Sequence, residues 1–107
     1  MINIIISRAA ERDVEAHAMF LALDSHEVAG RFLARVDATI ELLRARPELG
    51  HRRRDLFPPE EAELRLLAVD GFPKHLVVYR VREEGLYVVR VVHGSRDLPA
   101  LDDLAAE

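Results

Sequence analysis

A chain of 107 residues, half of them hydrophobic, is long enough for one domain with a real core and too short for two. It has no cysteine, which excludes disulfides and thiolate metal sites. The opening apolar run, residues 2–6, is far too short to span a bilayer, and no basic segment or cleavage site accompanies it, so a soluble cytoplasmic protein is expected. The net charge of −4 is spread unevenly: residues 1–43 carry −3, residues 44–96 carry +3 and residues 97–107 carry −4. A basic middle between acidic ends points to one positive face, not to a globally basic nucleic-acid binder. All but one of the cations are arginine. The planar guanidinium suits carboxylate and phosphate pairing, although a GC-rich coding sequence gives the same bias.

Residues 2–6, Ile-Asn-Ile-Ile-Ile, read as a short β-branched strand, nearly continuous as a strand covered on both faces would be. Ser7 stands where an N-cap belongs. Residues 8–23, rich in Ala, Glu and Arg, then predict a helix with Ala10, Val14, Ala18 and Leu21 on its apolar stripe. Ser25 is a second N-cap candidate. Residues 26–46 carry the clearest periodicity, with Ala29, Phe32, Leu33, Val36, Ile40 and Leu43 on one face. Arg44 and Arg46 suit the negative end of that helix, and Pro47 ends it. So short a link between two helices predicts an antiparallel hairpin.

Residues 47–63 read as a long loop, of the kind that is often functional. Three strand-like runs follow, at residues 64–69, 75–82 and 86–93, separated by Asp70-Gly71-Phe72-Pro73 and by the tight connection Glu83-Glu84-Gly85. The acidic tail, residues 97–107, has room for a short helix after Pro99. The order β-αα-βββ predicts a two-layer α+β fold, with the hairpin burying its apolar face on a mostly antiparallel sheet.

Several strings in this order resemble the ParE/RelE toxin superfamily. They are Ala10-Glu11-Arg12-Asp13-Val14, Arg46-Pro47-Glu48-Leu49-Gly50-His51-Arg52-Arg53, Leu64-Arg65, Leu76-Val77-Val78-Tyr79-Arg80-Val81 and Val91-Val92-His93-Gly94-Ser95-Arg96-Asp97-Leu98. The last string tilts the resemblance toward the ParE branch. The resemblance implies the toxin of a type II toxin–antitoxin module, a single toxin domain over residues 1–107. It implies neutralisation by a cognate antitoxin, expected to be of ribbon-helix-helix type. ParE-like members poison DNA gyrase by binding it, whereas RelE-like members cut messenger RNA on the ribosome. No cofactor, no membrane and no direct nucleic-acid sequence specificity are implied.

Metal-free RNA cleavage needs a base, an acid, and cations on the phosphate as its charge builds. Arg65 and Arg96 match two basic positions of the RelE branch. Leu67 stands where a sheet lysine is expected, and Asp102 stands near the place of a C-terminal tyrosine. The set is incomplete, so the reading is a binding toxin and not an enzyme. A ribonuclease using Arg65, His93, Arg96 and His51 is the alternative, and a non-toxic binding or regulatory module of the same fold is another. His93 and His51 could serve as acid and base, or be a strand-end residue and an exposed loop residue. His17 and His26 show no ligand spacing, so no metal site is expected.

For antitoxin or target binding the candidates are Arg52, Arg53 and Arg54 in the loop and Arg65, Arg80, Arg90 and Arg96 in and after the strands. Met19, Phe20 and Leu23, near the hairpin turn, join them. The loop run either meets an acidic partner or pairs with Glu60, Glu61 and Glu63. With Leu64, Leu66 and Ala68 facing the helices, Arg65 lies on the other side of the sheet. Arg80 shares a face with Leu76 and Val78, and Arg90 with Leu86 and Val88. An arginine on a sheet needs water or a carboxylate such as Asp97, or else the face is open to the antitoxin. Met19, Phe20 and Leu23 offer an antitoxin helix an apolar surface.

Overall fold

The protein's structure, a computed structural model, describes residues 2–53, 57 and 63–94. It is the expected α+β arrangement with one more strand. The order is β1 (Ile4–Ile6), α1 (Arg8–Ala22), α2 (His26–Ala45), β2 (His51–Arg52), β3 (Arg65–Val69), β4 (Phe72–Arg82) and β5 (Gly85–His93). The strands form one sheet in the order β1-β5-β4-β3-β2. β1 runs parallel to β5, and every other pair is antiparallel. The additional strand is β2, a two-residue pairing inside the stretch that reads as loop. No helix among the described residues is long and apolar enough to cross a membrane.

Both helices start on the serines that the sequence marks. Ser7 Oγ accepts from the Ala10 N–H at 3.0 Å and Ser25 Oγ from the Val28 N–H at 3.2 Å, each satisfying a donor that the first turn leaves open. α2 ends at Arg46, just before Pro47. Its buried face holds Ala29, Phe32, Val36, Thr39, Ile40 and Leu43. Leu33, placed on that face by periodicity, is 42% exposed. The buried stripe is rotated toward Thr39, because that side chain serves the sheet. Thr39 Oγ1 donates to the Arg35 carbonyl at 2.7 Å and accepts from the Asp70 N–H at 3.2 Å. It thereby ties α2 to the turn between β3 and β4.

β1 is an edge strand, with Ile5 and Ile6 exposed, and not a strand covered on both faces. β-Branching alone cannot distinguish the two cases. β4 begins at Phe72, three residues before the expected His75. The β3–β4 turn is Asp70-Gly71, and Gly71 takes a positive φ of 82°, which glycine adopts without steric cost. Pro73, which cannot donate to a ladder, falls in the stretch where the register slips: Val69 faces Phe72 while Ala68 faces Leu76.

A bulge in β5 sets the faces of the sheet. Val78 pairs with Arg90 and Tyr79 with Val88, so Val89 has no opposite number. The alternation therefore changes phase. Leu86, Val88 and Val91 join Val77, Tyr79, Phe32, Val36, Ile40 and Leu43 in the core beneath the helices. Val89 and Val92 join Phe57, Leu64, Leu66 and Val78 in a second cluster on the opposite face. Leu64 and Leu66 thus point away from the helices, Leu67 and Val69 pack toward them, and Arg65 shares their side. This reverses the facing expected from the sequence, since period-2 alternation fixes which residues go together but not which set meets the helices.

Candidate functional site

α1 lies along the outer edge of β5. β1 pairs with β5 only as far as Val88, so the next β5 groups need other partners. The first turns of α1 supply them. The Ser7 N–H donates to the Val88 carbonyl at 3.0 Å and Ser7 Oγ to the Val89 carbonyl at 2.7 Å. Asp13 accepts from the Val91 N–H at 2.9 Å, and His17 Nε2 lies 2.9 Å from the Val91 carbonyl. Asp13 and His17 are one turn apart, so together they satisfy both backbone groups of one strand residue. Asp13 also takes the guanidinium fork of Arg90, from Nε at 2.7 Å and Nη2 at 2.9 Å.

This docking leaves a groove of about 570 Å³ between α1 and α2. Ala10, Val14, Val36, Ile40, Val88 and Val91 line its apolar part, while Arg8, Arg12, Glu11, Glu15 and Asp37 supply charge. At the hairpin tip Met19, Phe20 and Leu23 are 73%, 56% and 81% exposed, as expected of an outer surface.

The arginine candidates separate into distinct settings. Arg65 Nη1 donates to the Glu48 and Gly50 carbonyls, at 3.1 and 2.8 Å. Arg52 stands opposite it across the β2–β3 ladder and is exposed, as are His51 and Arg53. Arg82 Nη2 donates to Glu63 Oε1 at 2.5 Å, and Arg80 Nη1 lies 3.8 Å from the same oxygen. Among the described residues, Asp13 receives Arg90. Arg54, Arg96, Glu60, Glu61, Asp97, Asp102 and the tail helix expected after Pro99 lie outside the described residues.

Tyr79 holds the turn that carries Arg65's acceptors. Its buried hydroxyl donates to the Pro47 carbonyl at 2.8 Å and accepts from the Gly50 N–H at 2.7 Å. A Cβ at Gly50 would sit 2.6 Å from that oxygen, so the position needs glycine. Burial pushes the Tyr79 hydroxyl above its ordinary value of 10.0, partly offset by the Gly50 N–H and the Arg65 charge. The folded chain thus holds this proton to higher pH than the unfolded chain. The resulting stability is intact below pH about 10 and is lost as pH rises through the folded-state value. Tyr79→Phe is expected to cost about 1–3 kcal/mol in urea denaturation at pH 7. In an absorbance titration it should also remove one of two tyrosinates that titrate above the ordinary value, leaving that of Tyr87. A variant as stable as the parent would mean that the two bonds hold nothing.

Sequence reasoning missed a histidine cluster. His17 of α1, His75 of β4 and His93 of β5 make edge contacts, with ring centroids 4.9 Å apart for His17–His75 and 5.1 Å for His75–His93. Phe32 and Phe72 pack on His75. Regular pairing outward from Arg82 and Gly85 would set Val92 opposite His75. The bulge at Val89 brings His93 there instead, so only knowledge of the bulge could have found the pair. Among the described residues no group of three or more His, Asp, Glu or Cys side chains could hold a metal ion.

Among the described residues, the ribonuclease candidates Arg65, His51 and His93 are not brought together, and Arg96 lies outside the described residues. Arg65 is in register with Tyr79, and His93 with His75. The four-residue separation along β4 amounts to about 13 Å. His51 sits beside Arg65's end of the sheet, far from His93.

Comparison with known proteins agrees with this fold. The sequence matches the ParE toxin of type II toxin–antitoxin system, parDE, over residues 4–98. Among solved structures, a chain of the chromosomal ParDE TA system from P. aeruginosa superposes with a TM-score of 0.70 at 18% identity, covering 87% of this chain and 96% of that one. No curated protein sequence matches. With the family match extending from the first strand past the last, this chain belongs to the ParE toxin family of type II toxin–antitoxin systems.

Proposed function

We propose that the chain is a toxin that acts by binding DNA gyrase and is neutralised by a cognate antitoxin whose amphipathic segment lies on the α1–α2 hairpin. The observation that carries the antitoxin site is the apolar-lined groove between the helices, with Met19, Phe20 and Leu23 exposed nearer the tip of the same hairpin. An apolar trough with charge along it suits a helix presenting anchors at i, i+3 and i+7. The gyrase target follows the family and the scattered ribonuclease residues, since Arg65 is occupied with backbone carbonyls and His93 lies at the far end of the sheet.

The test begins with induction of the chain alone and together with the neighbouring small open reading frame. The expected result is growth arrest with an SOS response and inhibited gyrase supercoiling in vitro, relieved by the co-expressed partner. Codon-phased transcript cuts would replace gyrase with the ribosome as the target, and normal growth would leave a non-toxic binding module. Because Phe20 and Leu23 are exposed, Phe20→Asp with Leu23→Asp should leave the unfolding midpoint nearly unchanged. The pair is expected to weaken the antitoxin complex roughly a hundredfold, as loss of central apolar anchors does. An unchanged dissociation constant would move the antitoxin away from the tip.

A further inference from the structure

At the sheet edge remote from the hairpin groove, β2 and β3 set Arg52 directly opposite Arg65. Like charges facing each other across a ladder are destabilising, and Glu48 and Glu63 in the same pocket wall offset them only in part, since neither forms a salt bridge with Arg52 or Arg65. Among the described residues, Arg65 is anchored through neutral acceptors, the Glu48 and Gly50 carbonyls. These orient the guanidinium without cancelling its charge. No salt bridge joins either arginine to a carboxylate among the described residues. The two border an open pocket of about 360 Å³, completed by Pro47, Glu48, Glu63 and Val81.

We propose that Arg52 and Arg65 form a receptor for a single carboxylate carried on a segment of a protein partner. The fork geometry of arginine matches a planar carboxylate. Two features select a carboxylate over a phosphate chain. Glu48 and Glu63 stand in the pocket wall and repel a polyanion, and the chain's net charge of −4 gives no long-range attraction for one. Val81 and Pro47 give the aliphatic stem of a glutamate an apolar wall. The toxin reading supplies the two sources of such a segment, the antitoxin and gyrase. The site itself stands on the geometry.

The direct test follows the arginine Nε–H signals of the full-length chain by NMR. N-Acetylglutamate amide should shift the Arg52 and Arg65 signals, N-acetylglutamine amide should leave them in place, and inorganic phosphate should bind more weakly than the glutamate. Absence of a glutamate shift, or tighter binding of phosphate, overturns the proposal. Arg52→Glu, at an exposed position, should fold with a thermal midpoint no lower than the parent's, since it removes the repulsion with Arg65. It should weaken either antitoxin binding by calorimetry or gyrase inhibition by roughly tenfold or more, and the affected assay identifies the source. Arg65→Lys should lose part of the same affinity, since it keeps the charge but not the fork. If Arg52→Glu alters neither assay, no partner carboxylate docks there and the proposal fails. If the parent chain engages neither partner, the toxin reading falls while the glutamate titration still decides the site.

Discussion

Phe32→Ala is expected to cost about 3–5 kcal/mol of folding stability, the usual loss on truncating a buried aromatic ring. Phe32 is fully buried. It joins three elements, with ring centroids 6.2 Å from His17 of α1, 5.2 Å from Phe72 and 4.8 Å from His75 of β4. The neighbouring rings are rooted in two other elements, α1 and β4, and cannot close the space together, so the cavity term should be felt in full. Domains of this size hold about 5–15 kcal/mol in total. The thermal midpoint should therefore fall by on the order of 10–20 °C. Leu33, adjacent in sequence and on the same predicted face, is the control. It is partly exposed, and Leu33→Ala should stay within about 0.5 kcal/mol. Urea denaturation of both variants checks the contrast, and equal losses would refute the rotation of the α2 stripe toward Thr39.

That contrast marks how far the sequence could be read. Caps, helix periodicity and hairpin turns are local, and Ser7, Ser25, Pro47 and the Asp70-Gly71 pair each sit where local chemistry demands. The element order and the two-layer packing follow from them. Facing and register do not. Residues 64–69 are apolar except for Arg65, so either half of the strand could face inward, and which half meets the helices depends on the second cluster around Phe57, which no local signal announces. The bulge at Val89 adds one residue to β5, and a bulge has no compositional mark here because Val89 looks like its neighbours. That single residue moves Val89 to the far face and brings His93 against His75. Among the candidate residues, the exposure of Met19, Phe20 and Leu23 was legible because they fall off the helical stripe. The tying of Arg65 to Glu48 and Gly50 was not, since it depends on how Tyr79 folds the turn after α2.

Asp13→Ala is the second change expected to be severe, at about 2–3 kcal/mol. It strips one acceptor from three donors: Arg90 Nε, Arg90 Nη2 and the Val91 N–H. Arg90 and Asp13 retain only 25% and 16% of their side-chain exposure. Breaking a fully buried pair costs about 3–5 kcal/mol, mainly through the stranded charge, and the remaining solvent contact at Arg90 lowers the figure. Asp13→Asn separates the contributions. Its amide oxygen can still accept from Val91, so the strand edge stays satisfied while the charge pairing is lost, and about half the penalty should remain. A double-mutant cycle with Arg90→Ala should return a coupling of about 1–2 kcal/mol. A coupling near zero would mean that the pair adds nothing beyond the backbone contact. Hydrogen exchange then reads the edge directly. The Val91 amide, which donates to Asp13, should lose protection in Asp13→Ala and keep it in Asp13→Asn. An unpaired β5 edge is a template for another strand, so Asp13→Ala should also self-associate on concentration where Asp13→Asn stays dispersed. The carboxylate of α1 thus does for β5 what a longer β1 would otherwise have to do.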